Sequence, residues 1–320
     1  MVRGVSRMHS VAGAPRSGIK ASIVPDGLAA VVVEGVHPDR DATDDSVGRW
    51  LRDLLAEHAV VCLRLPAPLT DEEHRALVSM IGRLKDPVGV DVDGLPLRYG
   101  DERQVIDSGF VLTDEIRTRL GDVTLGGDDL RPGLFEFFHT DDSYVDRPAA
   151  VTVLHARALP SGPGGATSFI DMRAAYHQLT PDEQHRLVGL HAIHAYNNRG
   201  AFPPRSSAEG ALERLVEVSH PVVRAHPTTG APALYFDLDR ARHIDGMPVA
   251  DGRALLQSLQ DRAEQDAPRY DHDWLPHDVL FWDNASVQHK AGGDFAVGEP
   301  RRFWRYMTEG SAPICFGSTS

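Results

Sequence analysis

Phe138-His139-Thr140-Asp141 is the stretch from which the fold is read. On an extended strand, residues i and i+2 project from one face, so His139 and Asp141 can aim together into the interior of a β-structure. Outward from it, short β-like runs between turns fill the second half of the chain, at 135–138, 150–155, 167–170, 221–225, 233–236, 279–282 and 303–307. Helical patterns interrupt them at 172–179 and 252–263. In the first half, Val47, Trp50, Leu51 and Leu54 form a helical stripe within 43–57, and 59–65 reads as a buried strand. Thr70 with Glu73 is a capping box opening a helix through Leu77 and Met80. Many short strands with few helices predict a mainly β fold with flanking helices, a jelly-roll sandwich or barrel.

The 320 residues are 42% hydrophobic and 25% charged, ordinary for a globular protein able to bury a polar site. Residues 1–20 read as a disordered basic tail carrying Arg3, Arg7, Arg16 and Lys20, and 21–320 as one domain. Residues 86–132 are Gly- and Asp-rich and read as long loops, which compact domains keep for function. The net charge of −13 repels nucleic acid and anionic membrane, so neither is an expected partner. No stretch reaches the length of a membrane span, and the first twenty residues lack the apolar core of a secretory signal. Two cysteines, Cys62 and Cys315, make no disulfide framework, and Cys62 sits in an apolar run as a buried thiol. A cytoplasmic location fits these features.

One His and one carboxylate need a third ligand to complete the 2-His-1-carboxylate triad of non-haem Fe(II) oxygenases, and His289, after the turn Trp282-Asp283-Asn284, is the candidate. The triad leaves positions open for a chelating 2-oxo acid and O₂. Among 16 histidines an H-x-D pattern alone is weak, and Asp271-His272-Asp273 is a decoy of the same kind. A co-substrate carboxylate calls for an arginine fork. In Arg301-Arg302-Phe303-Trp304-Arg305-Tyr306, strand periodicity puts Arg301, Phe303 and Arg305 on one face, with the choice between Arg301 and Arg302 open by one residue. Thr167, after the Gly-rich loop 161–166, can add a hydroxyl.

Together these residues resemble the taurine/2,4-dichlorophenoxyacetate dioxygenase (TauD/TfdA) family of 2-oxoglutarate-dependent oxygenases. The likeness runs through Phe138-His139-Thr140-Asp141, the stretch Gly164 to Tyr176, His220-Pro221-Val222-Val223-Arg224, His243 to Met247, Trp282-Asp283-Asn284, His289 and Arg301 to Arg305, over roughly 22–310. The resemblance implies a double-stranded β-helix (jelly-roll) core, often assembled as a homo-oligomer, dimer or tetramer. It implies Fe(II) on His139, Asp141 and His289, 2-oxoglutarate on Thr167 and Arg301, and consumption of O₂ with release of succinate and CO₂. The expected reaction is oxidation of a small anionic substrate, hydroxylation first, with desaturation, epoxidation and oxidative cleavage left open; halogenation is disfavoured, since halogenating relatives lack the carboxylate that Asp141 supplies. Arg305 corresponds to an arginine that faces an anionic substrate group or assists the co-substrate; the other reading pairs it with an internal carboxylate such as Asp142 or Asp294. Lys85 stands where taurine enzymes place a substrate-binding His, and Asp142 adjoins the triad, so both join Arg305 as candidate substrate contacts. Phe135 stands where those enzymes carry Asn, and 86–134 and 196–218 match poorly, which argues against taurine. Two other readings stay open: a zinc hydrolase on the same triad, and a non-catalytic jelly roll that binds a small acid.

Overall fold

In the computed structural model, which describes residues 9–11, 13–25, 27–86, 103–107, 137–195, 217–296 and 299–317, the widest element is an eight-stranded sheet. Its strands run in the order β1 (His9–Ser10), β2 (Lys20–Ile23), β3 (Val31–Glu34), β4 (Val60–Arg64), β14 (Asp278–Asp283), β6 (Val151–Ala158), β16 (Arg302–Met307) and β5 (Gln104–Asp107). The pairs are antiparallel except β3 with β4. Both parities of its central strands are apolar because both faces are covered. Val61 and Leu63 of β4 and Val279 and Phe281 of β14 pack under two helices, α2 (Asp45–His58) and α3 (Asp71–Ser79), which follow the short α1 (Pro38–Asp41). Val60, Cys62, Leu280 and Trp282 face the other way, onto Phe169 and Val287.

Those last two belong to a three-stranded sheet, β13 (Arg269–His272), β7 (Thr167–Asp171) and β15 (Val287–Ala291), stacked on the inner face. Two more three-stranded sheets extend the layer: β12 (Ala241–Ile244), β8 (His191–His194) and β9 (Val218–Pro221), then β11 (Pro232–Leu234), β10 (Val223–Ala225) and β17 (Ile314–Cys315). The helices α4 (Met172–His177), α5 (Pro181–Leu187) and α6 (Val249–Asp266) contribute Met172, Tyr176, Leu187, Leu256 and Leu259 to the core beneath these sheets. The result is the expected mainly β, jelly-roll arrangement with helices outside.

Local chemistry explains the element ends. The Thr70–Glu73 capping box opens α3 as read from the sequence, and a second box, Thr180–Glu183, opens α5. The single run expected at 221–225 is two strands instead. Pro221 has no N–H to continue β9, and Val222 passes the chain to β10, its own N–H going to Leu190 O. Part of the run at 135–138 lies outside the described residues, and Phe137 and Phe138 form no strand. Residues 1–8, including Arg3 and Arg7, and most of 86–132 also lie outside them. From His9 onward the segment expected to be a loose tail is docked: β1 pairs with β2, Arg16 forms an ion pair with Asp41, and Ile19 is buried.

Phe281 is 1% exposed at the centre of the large sheet. Phe281→Ala is expected to cost about 3–5 kcal/mol in urea unfolding; a loss below about 1 kcal/mol would contradict this packing.

Candidate metal and co-substrate site

His139 and His289 exchange two backbone hydrogen bonds, His139 N to His289 O at 3.0 Å and His289 N to His139 O at 2.9 Å. This is a single antiparallel bridge at which β15 meets the arriving chain. His289 follows the turn at 284–286, as expected, and sits within β15, while His139 is a one-residue bridge rather than part of the strand expected there. The chain leaves immediately because Asp142 adopts a left-handed conformation, φ 56°, and Val145 N closes a turn on Asp142 O. Even so, the i, i+2 reading of direction holds: His139, Asp141 and His289 bring candidate ligand atoms within 4.8 Å of one another.

The protonation states suit metal binding. Burial, with help from His139 and Arg305, pushes His289 down to about 3 against the pull of Asp141, so the imidazole is neutral at neutral pH. The Nδ1 of His139 lies 3.0 Å from Phe137 O, an acceptor that favours the tautomer with its proton on Nδ1 and its lone pair on Nε2. Burial alone would raise Asp141, but His289, Arg305, His139 and the Thr152 hydroxyl outweigh it and bring the acid down to about 2. Two imidazoles, that of His289 neutral, and an ionised carboxylate form a donor set that fits Fe(II).

A chain of side chains that the sequence did not reveal aims Asp141. Trp282 Nε1 donates to Asn284 Oδ1 at 3.1 Å, Asn284 Nδ2 donates to Thr152 Oγ1 at 2.9 Å, and Thr152 Oγ1 donates to Asp141 Oδ2 at 2.7 Å. The Trp282-Asp283-Asn284 motif was visible, but Thr152 stands 132 residues from Asn284 and carried no signal. Asp283, between them, is braced by His226. That ring accepts Thr228 and Thr229 N–H at Nδ1, so Nε2–H donates to Asp283 at 2.9 Å. Asp237 was also missed; burial raises its carboxyl, and it lies in the field of His139.

Two rungs further along β7 and β15, Thr167 pairs with Ala291 as Phe169 pairs with His289. At strand rise this places Thr167 about 7 Å beyond the His289 level, on the same face. Arg301 is 3% exposed, donates through Nε to Gly165 O at 2.9 Å and reaches Thr167 Oγ1 through Nη2 at 3.3 Å. Gly165, φ 76°, lets the loop lie against it; a Cβ there would stand 3.3 Å from the Phe295 ring and 3.4 Å from Arg301 Nε. Arg302 is exposed, and a register shift separates it from Phe303, so of the two arginines it is Arg301 that faces Thr167. Arg301 precedes β16 rather than belonging to it, yet shares a side with Phe303, whose ring lies 4.7 Å from its guanidinium.

The proposed substrate contacts are differently engaged. Arg305 donates to Gln104 Oε1 at 2.6 Å and places Nη1 3.5 Å from Asp141 Oδ1, so its internal carboxylate is Asp141 and not Asp142 or Asp294. Lys85 pairs with Asp142, which also accepts the Tyr144 hydroxyl at 3.1 Å.

A second cluster among the described residues, Cys62, His272 and Asp278, is equally buried but committed elsewhere. Arg64 grips both oxygens of Asp278 at 3.1 and 3.3 Å, His272 lies 3.3 Å from the same carboxylate, and Tyr270 OH meets His272 Nδ1 at 2.7 Å. Burial pushes the Cys62 thiol well up. A cation there would have to displace Arg64 and ionise a desolvated thiol, so the cluster is a structural network.

Comparison with known proteins gives the family and the fold of the chain. The sequence profile described as Taurine catabolism dioxygenase TauD, TfdA family matches residues 25–307. The chain is 30% identical to an alpha-ketoglutarate-dependent 2,4-dichlorophenoxyacetate dioxygenase of Cupriavidus pinatubonensis, across 92% of this chain and 100% of that protein. It is 35% identical to an (S)-phenoxypropionate/alpha-ketoglutarate-dioxygenase of Sphingobium herbicidovorans, across 48% and 55% respectively. In fold it is similar to the crystal structure of AAD-2 in complex with Mn(II) and N-oxalylglycine, with TM-score 0.72 and 23% identity over 92% of this chain and 99% of that one.

Thr152→Val removes the donor to Asp141 and strands Asn284 Nδ2. Fe(II) affinity, measured by anaerobic titration, is expected to fall about 10- to 100-fold; an unchanged affinity would show that Asp141 needs no such support.

Proposed function

The chain belongs to the taurine catabolism dioxygenase TauD, TfdA family, and on that premise we propose that His139, Asp141 and His289 hold its Fe(II) while Thr167 and Arg301 hold 2-oxoglutarate. The protein is an Fe(II)- and 2-oxoglutarate-dependent dioxygenase that oxidises a small organic molecule. The observation that carries the residue assignment is the His139–His289 bridge with Asp141 beside it, followed two rungs along by Arg301 and Thr167. That spacing matches a diacid whose 2-oxo end chelates the metal and whose far carboxylate meets a guanidinium and a hydroxyl. When bound, metal and co-substrate together activate O₂, converting 2-oxoglutarate to succinate and CO₂ and oxidising a substrate C–H bond. The protein's part is to keep the His289 imidazole neutral, hold Asp141 ionised and aimed, and grip the far carboxylate in a dry site. A zinc hydrolase has no use for a buried Arg301–Thr167 pair at this distance, and a passive acid binder has none for the triad.

We assign the substrate an anionic group near Arg305. The guanidinium is held by Gln104 and only loosely, at 3.5 Å, by Asp141, whose charge a metal would share. The acids named for the relatives, 2,4-dichlorophenoxyacetate and (S)-phenoxypropionate, are carboxylates, which supports this class. Lys85 and Asp142 neutralise one another, so their part is shape and hydrogen bonding rather than charge recognition. Hydroxylation as the outcome, one domain over 21–320, a dimer or tetramer and a cytoplasmic location belong to the same proposal and rest on the family resemblance. No helix among the described residues is long and apolar enough to cross a membrane.

His139→Ala is expected to abolish substrate-coupled succinate formation while circular dichroism stays that of the parent; full coupled activity would remove His139 from the site. A panel of aryloxy- and alkyl-carboxylates and sulfonates, assayed by succinate release, supplies the acid for the second test. Arg305→Gln should raise the KM for that acid about tenfold or more and spare 2-oxoglutarate affinity and the thermal midpoint. A large fall in midpoint with KM unchanged would make Arg305 structural.

A further inference from the structure

Thr167 is 2% exposed, and its hydroxyl oxygen receives two N–H groups, Trp274 Nε1 at 3.0 Å and Arg301 Nη2 at 3.3 Å. A hydroxyl oxygen has two lone pairs and one proton. Two incoming donors fill both lone pairs, so the remaining O–H can only donate, and it must point away from both nitrogens. A threonine without the indole could instead rotate, offering a lone pair to any nearby donor and turning its proton elsewhere.

The indole is held where this matters. Trp274 follows β13, whose His272 is the cross-strand partner of Thr167. Its ring meets His272 edge-on at 4.6 Å and 88°, and Phe303 at 4.5 Å and 48°. His272 is fixed in turn by Tyr270 and by Asp278, the latter clamped by Arg64. The buried network that binds no metal thus backs the wall behind Thr167. An indole N–H turned inward needs an acceptor in any case, and a backbone carbonyl would satisfy it. Here the acceptor is the hydroxyl that Arg301 also reaches, and that coincidence carries the argument.

We infer that Trp274 is a positioning residue for the co-substrate: by occupying one lone pair of Thr167 it commits that hydroxyl to donate to the distal carboxylate held by Arg301. The inference rests on the assignment of Thr167 and Arg301 to 2-oxoglutarate. It makes Trp274 part of the selection of 2-oxo diacids over 2-oxo monoacids, although the residue touches neither acid.

Trp274→Phe keeps the ring contacts with His272 and Phe303 and deletes the N–H. Anaerobic Fe(II)-loaded enzyme is titrated calorimetrically with 2-oxoglutarate and with 2-oxopentanoate, which has the same chain length but no distal carboxylate. Trp274→Phe is expected to weaken 2-oxoglutarate about fivefold and to leave 2-oxopentanoate unchanged. In a Thr167→Val background, where no hydroxyl is left to orient, adding Trp274→Phe should cost nothing further. Equal weakening for both acids, or a further fivefold loss in the double variant, overturns the role of Trp274 while leaving Thr167 in place. A Thr167→Val enzyme that binds 2-oxoglutarate as tightly as the parent overturns the co-substrate site, and this inference with it.

Discussion

The two-way backbone hydrogen bond between His139 and His289 is the constraint on which the rest of the site depends. A lone bridge contributes little stability, but it fixes two side chains directly opposite each other on one face, with ring centroids 4.2 Å apart. With His289 and Asp141 buried and the His139 ring that close, two charges are settled: desolvation and the neighbouring His139 keep His289 neutral, and the surrounding nitrogens keep Asp141 ionised. The bridge thus sets both the geometry and the protonation pattern.

Around that bridge the structure uses hydroxyl groups as directional connectors. Thr152 accepts a hydrogen bond from Asn284 and donates one to Asp141; Thr167 accepts from two donors and is left with its O–H to donate. Both chains start at an indole, Trp282 in one and Trp274 in the other. Tryptophan suits this because its bulk locks the ring by packing while its N–H donates and never accepts. Fully satisfied networks of this kind stiffen a site at little cost, whereas a half-satisfied one would leave desolvated polar atoms.

The fold was legible where the signal is local. The capping box at Thr70–Glu73 and the strands at 150–155, 167–170, 279–282 and 303–307 follow from spacing within a few residues. The three triad residues were legible because two share a four-residue motif and the third follows a recognisable turn. What escaped is defined through space. Thr152 and Trp274 reach their partners across strands, and nothing in their neighbourhoods marks them. The choice between Arg301 and Arg302 could not be made from alternation because a register shift interrupts the strand there. Lys85 and Asp142, each a plausible lone charge in sequence, are 57 residues apart and partners in space.

The left-handed backbone at Asp142 limits how this enzyme can diversify. Only Gly, Asn and Asp adopt φ near 56° readily, so the residue that follows Asp141 has a short list of tolerated replacements. Lys85 carries no such backbone restriction, but its ammonium is committed to the buried Asp142. Descendants of this chain that acquire new substrates therefore have a coupled route. Changing the charge at position 85 would leave the carboxylate at position 142 desolvated without its cation, so the two positions change together.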